Sequence, residues 1–238
     1  MRILIIDQCS GAKKSSTRDE TVDRDTIGAA SRASLVAQDG VESYRAEELY
    51  EGRQQQRVTE AKQLLEQAGD EVDRVFISAG FGVVDDQEEL PLYDVTFAAM
   101  TDSEIDKRAS KLHIYEDLRD LIVDGKYEVV FFALGSDYYR SARLNELLPA
   151  VPDETVVVLF NKEELAEEHA NTISIPARTA QAKAHGTIVV ALKGKYLRNF
   201  AAHRDRGAKI ETIHDFKTYC TENSASQTGL GDYSSNSG

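Results

Sequence analysis

With 238 residues, 41% hydrophobic and 29% charged, the chain has the makeup of a globular domain with a sizeable core. Its 41 acidic side chains outweigh 28 basic ones, 12 of them Lys, for a formal net charge of -13, which excludes a broad basic face and strong non-specific duplex binding. Acid recurs along the chain, in DETVDRD, DDQEE and EELAEE, as on the solvated surfaces that keep proteins of halophilic archaea soluble in high salt. Cys9 and Cys220 are too few for a disulfide framework, and no Cys or His spacing suits zinc, so a reducing compartment without metal or cofactor is expected. The opening MRILIID is too short for a secretory segment, and no apolar run approaches the roughly 18 residues of a membrane span. The expectation is a cytoplasmic protein with no membrane partner.

In chain order, RILIID (2–7) is the first of five apolar runs that read as strands covered on both faces. The others are DRVFIS (73–78), EVVFFAL (128–134), TVVVLF (155–160) and TIVVAL (187–192). A polar stretch at 15–43, rich in Ser, Thr, Asp and Ala, reads as an insertion after the first strand. Residues 45–69 read as one helix with an apolar stripe through Leu49, Val58, Ala61, Leu64, Leu65 and Ala68. Further helices are expected at 103–124, 137–148, 162–170, 177–185, 195–206 and 211–219, and a disordered tail at 221–238. Alternating strands and helices imply right-handed crossovers in a single α/β domain over 1–220. The expected architecture is a three-layer α/β/α sandwich whose mostly parallel sheet has about five strands.

Open parallel sheets bind ligands beyond the carboxyl ends of their strands. The residues there are small, polar and locally cationic: Cys9, Ser10, Gly11 and Lys13 after the first strand, then Ser78, Gly80 and Gly82 after the second. Gly135, Ser136 and Tyr138 follow the third, Asn161 the fourth and Lys193 the fifth. Glycine and serine in such turns let backbone N–H groups approach an anion, and Ser136 reads as part of an anion site or as a helix cap. Cys9 reads as a nucleophile near Lys13 or as a small buried strand-end residue, and Lys13 as an anion clamp or a solvated lysine. In ELPLYDVTFAAM (89–100), Tyr93 and Phe97 read as stacking faces for a planar ligand or as a satellite core, and Tyr138 has the same two readings.

CSGAKK, AEELYEG (46–52), FISAGFGVVDDQEELPLYDVTF (76–97) and ALGSDYY together resemble a family of bacterial and archaeal proteins related to the peroxide-stress protein YaaA. The likeness covers most of residues 3 to 140. Cys9, Ser10 and Lys13 fit its Cys-Ser-x-x-Lys start, and Tyr93, Thr96 and Phe97 its Tyr-x-x-Thr-Phe block. More distantly, Cys9 and Lys13 resemble the Cys-x-x-x-Lys of the archaeosine synthase core domain, with Lys14 and Ser15 where that domain has Pro and Tyr. That domain is similar to the uracil-DNA glycosylase fold, whose strand-end pocket holds a base. The resemblance implies a nucleobase, nucleotide or nucleic acid partner, with Cys9, Ser10 and Lys13 carrying any catalysis. Two alternatives stand beside it: a non-enzymatic DNA-binding stress protein using KGKYLRNFAAHRDRGAK (193–209), and a redox sensor using Cys9.

Overall fold

The structure, a computed structural model, describes residues 1–14, 21–22, 26–27 and 31–222. The expected tail lies, from residue 223 on, outside the described residues, as does part of the expected 15–43 insertion. The strands are β1 (Arg2–Gln8), β2 (Ser43–Arg45), β3 (Glu71–Ser78), β4 (Gly82–Asp85), β5 (Glu89–Pro91), β6 (Val129–Phe132), β7 (Val156–Phe160) and β8 (Thr172–Ile175). The first helices are α1 (Arg32–Val36), α2 (Ala46–Leu49), α3 (Arg53–Gln67), α4 (Asp102–Lys111) and α5 (Ile114–Gly125). They are followed by α6 (Ser136–Ser141), α7 (Leu144–Leu147), α8 (Glu163–Glu168), α9 (Thr179–Ala184), α10 (Val189–Asp205) and α11 (Ile213–Thr221).

Six strands form one sheet in the order β4-β3-β1-β6-β7-β8, all parallel to their neighbours except β4, which folds back on β3 as a hairpin. Arg2 stands beside Glu71 on one side of β1, and Ile3 beside Val129 on the other. Successive side chains of a strand point to opposite faces, so the apolar runs feed two cores at once. Leu4, Ile6, Val130, Phe132, Val157 and Leu159 pack toward Ile105 of α4, Leu118 of α5 and Leu144 of α7. Ile3, Ile5, Val129, Phe131, Val158 and Phe160 pack toward Val58 of α3, Phe200 of α10 and Phe216 of α11. The result is a three-layer α/β/α sandwich. A separate antiparallel pair, β2 with β5, lies outside the main sheet.

The structure corrects four expectations. TIVVAL (187–192) is no strand: it enters α10, the sheet edge being formed by the unanticipated β8, and Ile188, Val189 and Val190 are 47, 39 and 68% exposed. β4 is also an addition, so the sheet has six strands. The expected 45–69 helix divides into α2 and α3 because Tyr50 turns to extended backbone and bridges Lys13. The expected 103–124 and 137–148 helices each divide at a left-handed residue, His113 (φ 53°) and Arg143 (φ 48°).

Candidate functional site

From β1 the chain crosses to β3 on one side, whereas from β6 it proceeds to β7 on the other, so the topological switch point lies between β1 and β6. Loops at such a point diverge and leave a crevice at the carboxyl ends of the strands. Here the crevice is closed down by side chains. The Cys9 N–H extends the ladder by donating to the Ile77 carbonyl (3.0 Å), and Gln8 Oε1 accepts the Gly135 N–H (2.6 Å). The chain then turns, with the Ala12 N–H donating to Ser10 Oγ (3.1 Å), and Lys13 pairs antiparallel with Tyr50.

This turn completes a compact polar cluster. Cys9 Sγ lies 3.0 Å from the Tyr138 hydroxyl, which also donates to the Cys9 carbonyl (3.2 Å). The Tyr50 and Tyr93 hydroxyls are 2.6 Å apart, and Tyr93 is 2.8 Å from Ser78 Oγ. Ser78 Oγ in turn accepts the N–H groups of Gly80 and Phe81, both at 3.1 Å. The Lys13 ammonium sits 4.3 Å above the Tyr93 ring, a favourable cation–π position. Cys9, Tyr50, Ser78, Tyr93 and Tyr138 are buried, whereas Ser10, Lys13 and Thr96 are half-buried at the rim.

Electrostatics keep the phenols protonated. Burial first, and then the neighbouring Cys9, push Tyr50 and Tyr138 well above the usual phenol range, and burial with Tyr50 and Cys9 does the same to Tyr93. A hydrogen bond from Thr96 works the other way on Tyr138. Burial holds the Lys13 ammonium below the usual lysine range against the opposing pull of Cys9 and Asp94. Three protonated phenols and the Lys13 side chain therefore meet beside Cys9 and Ser78 in a largely buried cluster.

A second buried network supports the cluster from the α3 and α10 side. Asp7 Oδ1 accepts from the Gln8 N–H (2.8 Å) and from Gln54 Nε2 (2.7 Å), and Arg74 Nη2 reaches Asp7 Oδ2 at 2.7 Å. Gln54 also donates to the Ala133 carbonyl and Lys193 Nζ to the Leu134 carbonyl, each at 2.7 Å, so the chain leaving β6 is clamped from α3 and α10. Arg108 of α4 similarly clips the turn after β3 by donating to the Ala79 carbonyl (2.5 Å).

Of the residues singled out from the sequence, Cys9, Lys13, Ser78, Gly80, Tyr93, Thr96 and Tyr138 come together. Gly80 packs against the Tyr93 ring, where a Cβ would stand 2.8 Å from Cε2. Neither ring offers an open stacking face: Tyr93 lies under Lys13 and against Phe81, and Tyr138 packs edge-on against Phe97. Their hydroxyls are the atoms placed for chemistry. Ser10 closes the turn, Gly11 is exposed at its tip, and Gly82 (φ 78°) starts the β4 hairpin against the Leu112 carbonyl.

The remaining residues fall elsewhere. The Gly135 N–H is taken by Gln8, and Ser136 is exposed with its hydroxyl toward Asp137. Ser136, Asn145 and Lys162 line a 580 Å³ groove beyond β6 and β7. Asn161 clips the loop after β8 by donating to the Ala177 carbonyl (3.2 Å) and accepting its N–H (2.6 Å). Lys193 is corrected outright: it is a buried residue of α10 and not part of a strand-end loop, because the fifth expected strand is helix.

Tyr50, which sequence reasoning passed over, sits in AEELYEG as the residue that caps α2 in extended backbone, a position that no local pattern marks. Among the described residues no group of His, Cys, Asp or Glu could hold a metal ion, and no helix is long and apolar enough to cross a membrane. Comparison with protein-family models, with curated proteins and with solved structures finds no match to this chain.

Proposed function

We propose that the chain binds a nucleobase, nucleotide or nucleic acid end, as ligand or substrate, at the carboxyl edge of its sheet around Cys9. The observation that carries this reading is the meeting of a thiol, an ammonium and three phenols at the β1/β6 switch point, where doubly wound sheets hold such ligands. Lys13 would meet phosphate or developing negative charge, Cys9 would be the reactive or contacting thiol, and Tyr50 and Tyr138 would supply hydrogen bonds. The CSGAKK and ALGSDYY motifs, which resemble those of YaaA-related proteins, supply Cys9, Lys13 and Tyr138, and Cys9 and Lys13 more distantly resemble the Cys-x-x-x-Lys of the archaeosine synthase core. Thermal shift in high salt against a panel of nucleosides and nucleotides tests the reading. A shift that is lost in Lys13→Ala supports it, and no shift with any compound overturns it.

A DNA-binding role without turnover is the second reading, favoured by one observation. Lys195 is held below the usual lysine range by burial and then by Arg57 and Arg198, a local gathering of cations where α3 meets α10 in which Arg198 is paired with Glu60 and Lys195 donates to the His185 carbonyl. A salt-dependent gel shift abolished by Lys195→Glu with Arg198→Glu would favour it. The redox-sensor alternative has less support, since Cys9 is 2% exposed.

A further inference from the structure

Away from the Cys9 cluster, a 330 Å³ cavity lies where α4 and α5 face α6 and α7, a size that suits a small molecule. Three carboxylates, Asp106, Glu116 and Glu146, and two guanidinium groups, Arg140 and Arg143, line it. Both arginines are committed. Arg140 donates through Nε and Nη2 to the two oxygens of Asp106, at 2.7 and 2.6 Å, and through Nη1 to Asp102 at 2.8 Å. Arg143 donates through Nε to Glu146 Oε1 (2.9 Å) and through Nη2 to its Oε2, and lies 4.5 Å over the Tyr115 ring.

Glu116, on α5, differs from the other two acids. It is half-buried, and its Oε2, shut off from solvent, has no hydrogen-bond partner among the described residues. A carboxylate oxygen withdrawn from water without a donor is costly, and a carboxylate can only accept, so what Glu116 lacks is an N–H or O–H group. An anion would meet the excess carboxylate with both arginines already paired. A quaternary ammonium would bring charge but no donor, and Tyr115, the one aromatic ring on the wall, already carries Arg143. Among the described residues no group of His, Cys, Asp or Glu could hold a metal ion there.

We infer that this cavity is a binding site for a small organic cation whose head group carries N–H donors, a primary ammonium or a guanidinium, held by the Glu116 carboxylate. The site shares no residue with the Cys9 cluster and does not depend on the base-binding reading.

The test is isothermal titration of the full chain in high salt, where screening weakens bare charge attraction and leaves hydrogen-bonded contacts to be read. The probes are putrescine, which carries ammonium heads alone, agmatine, which carries a guanidinium as well, and tetramethylammonium, which carries no N–H group. At least one of the first two should bind about tenfold or more tightly than tetramethylammonium, and the tighter of them names the head group. Glu116→Gln keeps the shape of the side chain and should weaken that binding about tenfold or more. Ser110→Trp, at an exposed position on the cavity wall, should obstruct the site with Glu116 in place. Melting curves check that each variant folds, and either folded variant suffices for the test. Tetramethylammonium binding as tightly as the amines, or binding undiminished in a folded variant, overturns the inference by assigning the affinity to the acidic surface at large. No binding by putrescine or agmatine also overturns it, and gives the Glu116 oxygen to a buried water.

Discussion

Arg74 on β3 and Asp7 on β1 form an ion pair at 2.7 Å in which neither side chain has any solvent exposure. The charges are held by further hydrogen bonds: Arg74 donates to Thr59 Oγ1 (2.8 Å), and Gln54 donates to Asp7. Removing one member of a buried pair leaves the other charge uncompensated, which costs about 3–5 kcal/mol. Arg74→Met is therefore expected to lose stability on that scale in urea unfolding, and Asp7→Asn combined with Arg74→Met to regain much of it. A single-variant loss under about 1 kcal/mol would remove the pair from any central role.

Lys193 gives the fold a pH signature. Burial lowers its pKa to about 8 from 10.5, with Asp7 offsetting part of the effect. Between those values the unfolded chain holds this proton and the folded chain releases it, so the contribution of Lys193 to stability rises with pH across the window. Below about pH 8 the cost of keeping the ammonium buried is present in full and no longer changes. The stability difference between wild type and Lys193→Met isolates this term from the buried phenols. It should grow in favour of wild type through the window, and a difference that stays flat would refute the assignment.

Tyr139 joins the ends of two neighbouring strands. Its hydroxyl donates to the Phe132 carbonyl on β6 and accepts the Phe160 N–H on β7, both at 3.0 Å, in a wholly buried setting. Tyr139→Phe leaves both backbone groups unpaired and should cost about 1–3 kcal/mol. Amide exchange offers a local readout: the Phe160 N–H should lose protection more than the neighbouring Val158 N–H. Equal protection of the two would show that another group takes over.

The α3–α10 interface depends on one missing side chain. A Cβ on Gly194 would stand 2.6 Å from the Gln54 carbonyl oxygen, which belongs to a helix backbone and cannot swing away. Gly194→Ala should thus push the helices apart at a cost of about 1–3 kcal/mol, despite the better helix propensity of alanine. Because Gln54 also holds Asp7 and Ala133, the same variant should weaken any ligand binding at the cluster. A melting temperature equal to or above wild type would contradict the close packing.

The apolar runs at 2–7, 73–78, 128–134 and 155–160 were legible as strands because a strand covered on both faces has no polar alternation to obscure it. Ile188 to Val190 misled for the same reason: composition cannot separate a β-branched run in a sheet from one exposed on the first turn of a helix. TISI, the core of β8, is four residues long at a sheet edge and carries too little pattern to stand out. The glycine, serine, lysine and cysteine of the site were visible from their position after strands. Tyr50 was hidden because its role comes from a helix interruption that brings it to Lys13, a pairing across 37 positions that no local pattern records.

β1 is the first strand in chain order and lies inside the sheet, with its neighbours beginning only at Glu71 and Val129. During synthesis, ILII must wait for DRVFIS and then for VVFF before both of its edges are covered. Long-range parallel pairing of this kind is slow and leaves an apolar edge open while it is awaited. A nascent chain stopped before residue 129 would carry β1 with one bare edge and no partner for the Gln8 side chain at Gly135, so the site around Cys9 can assemble only late in folding.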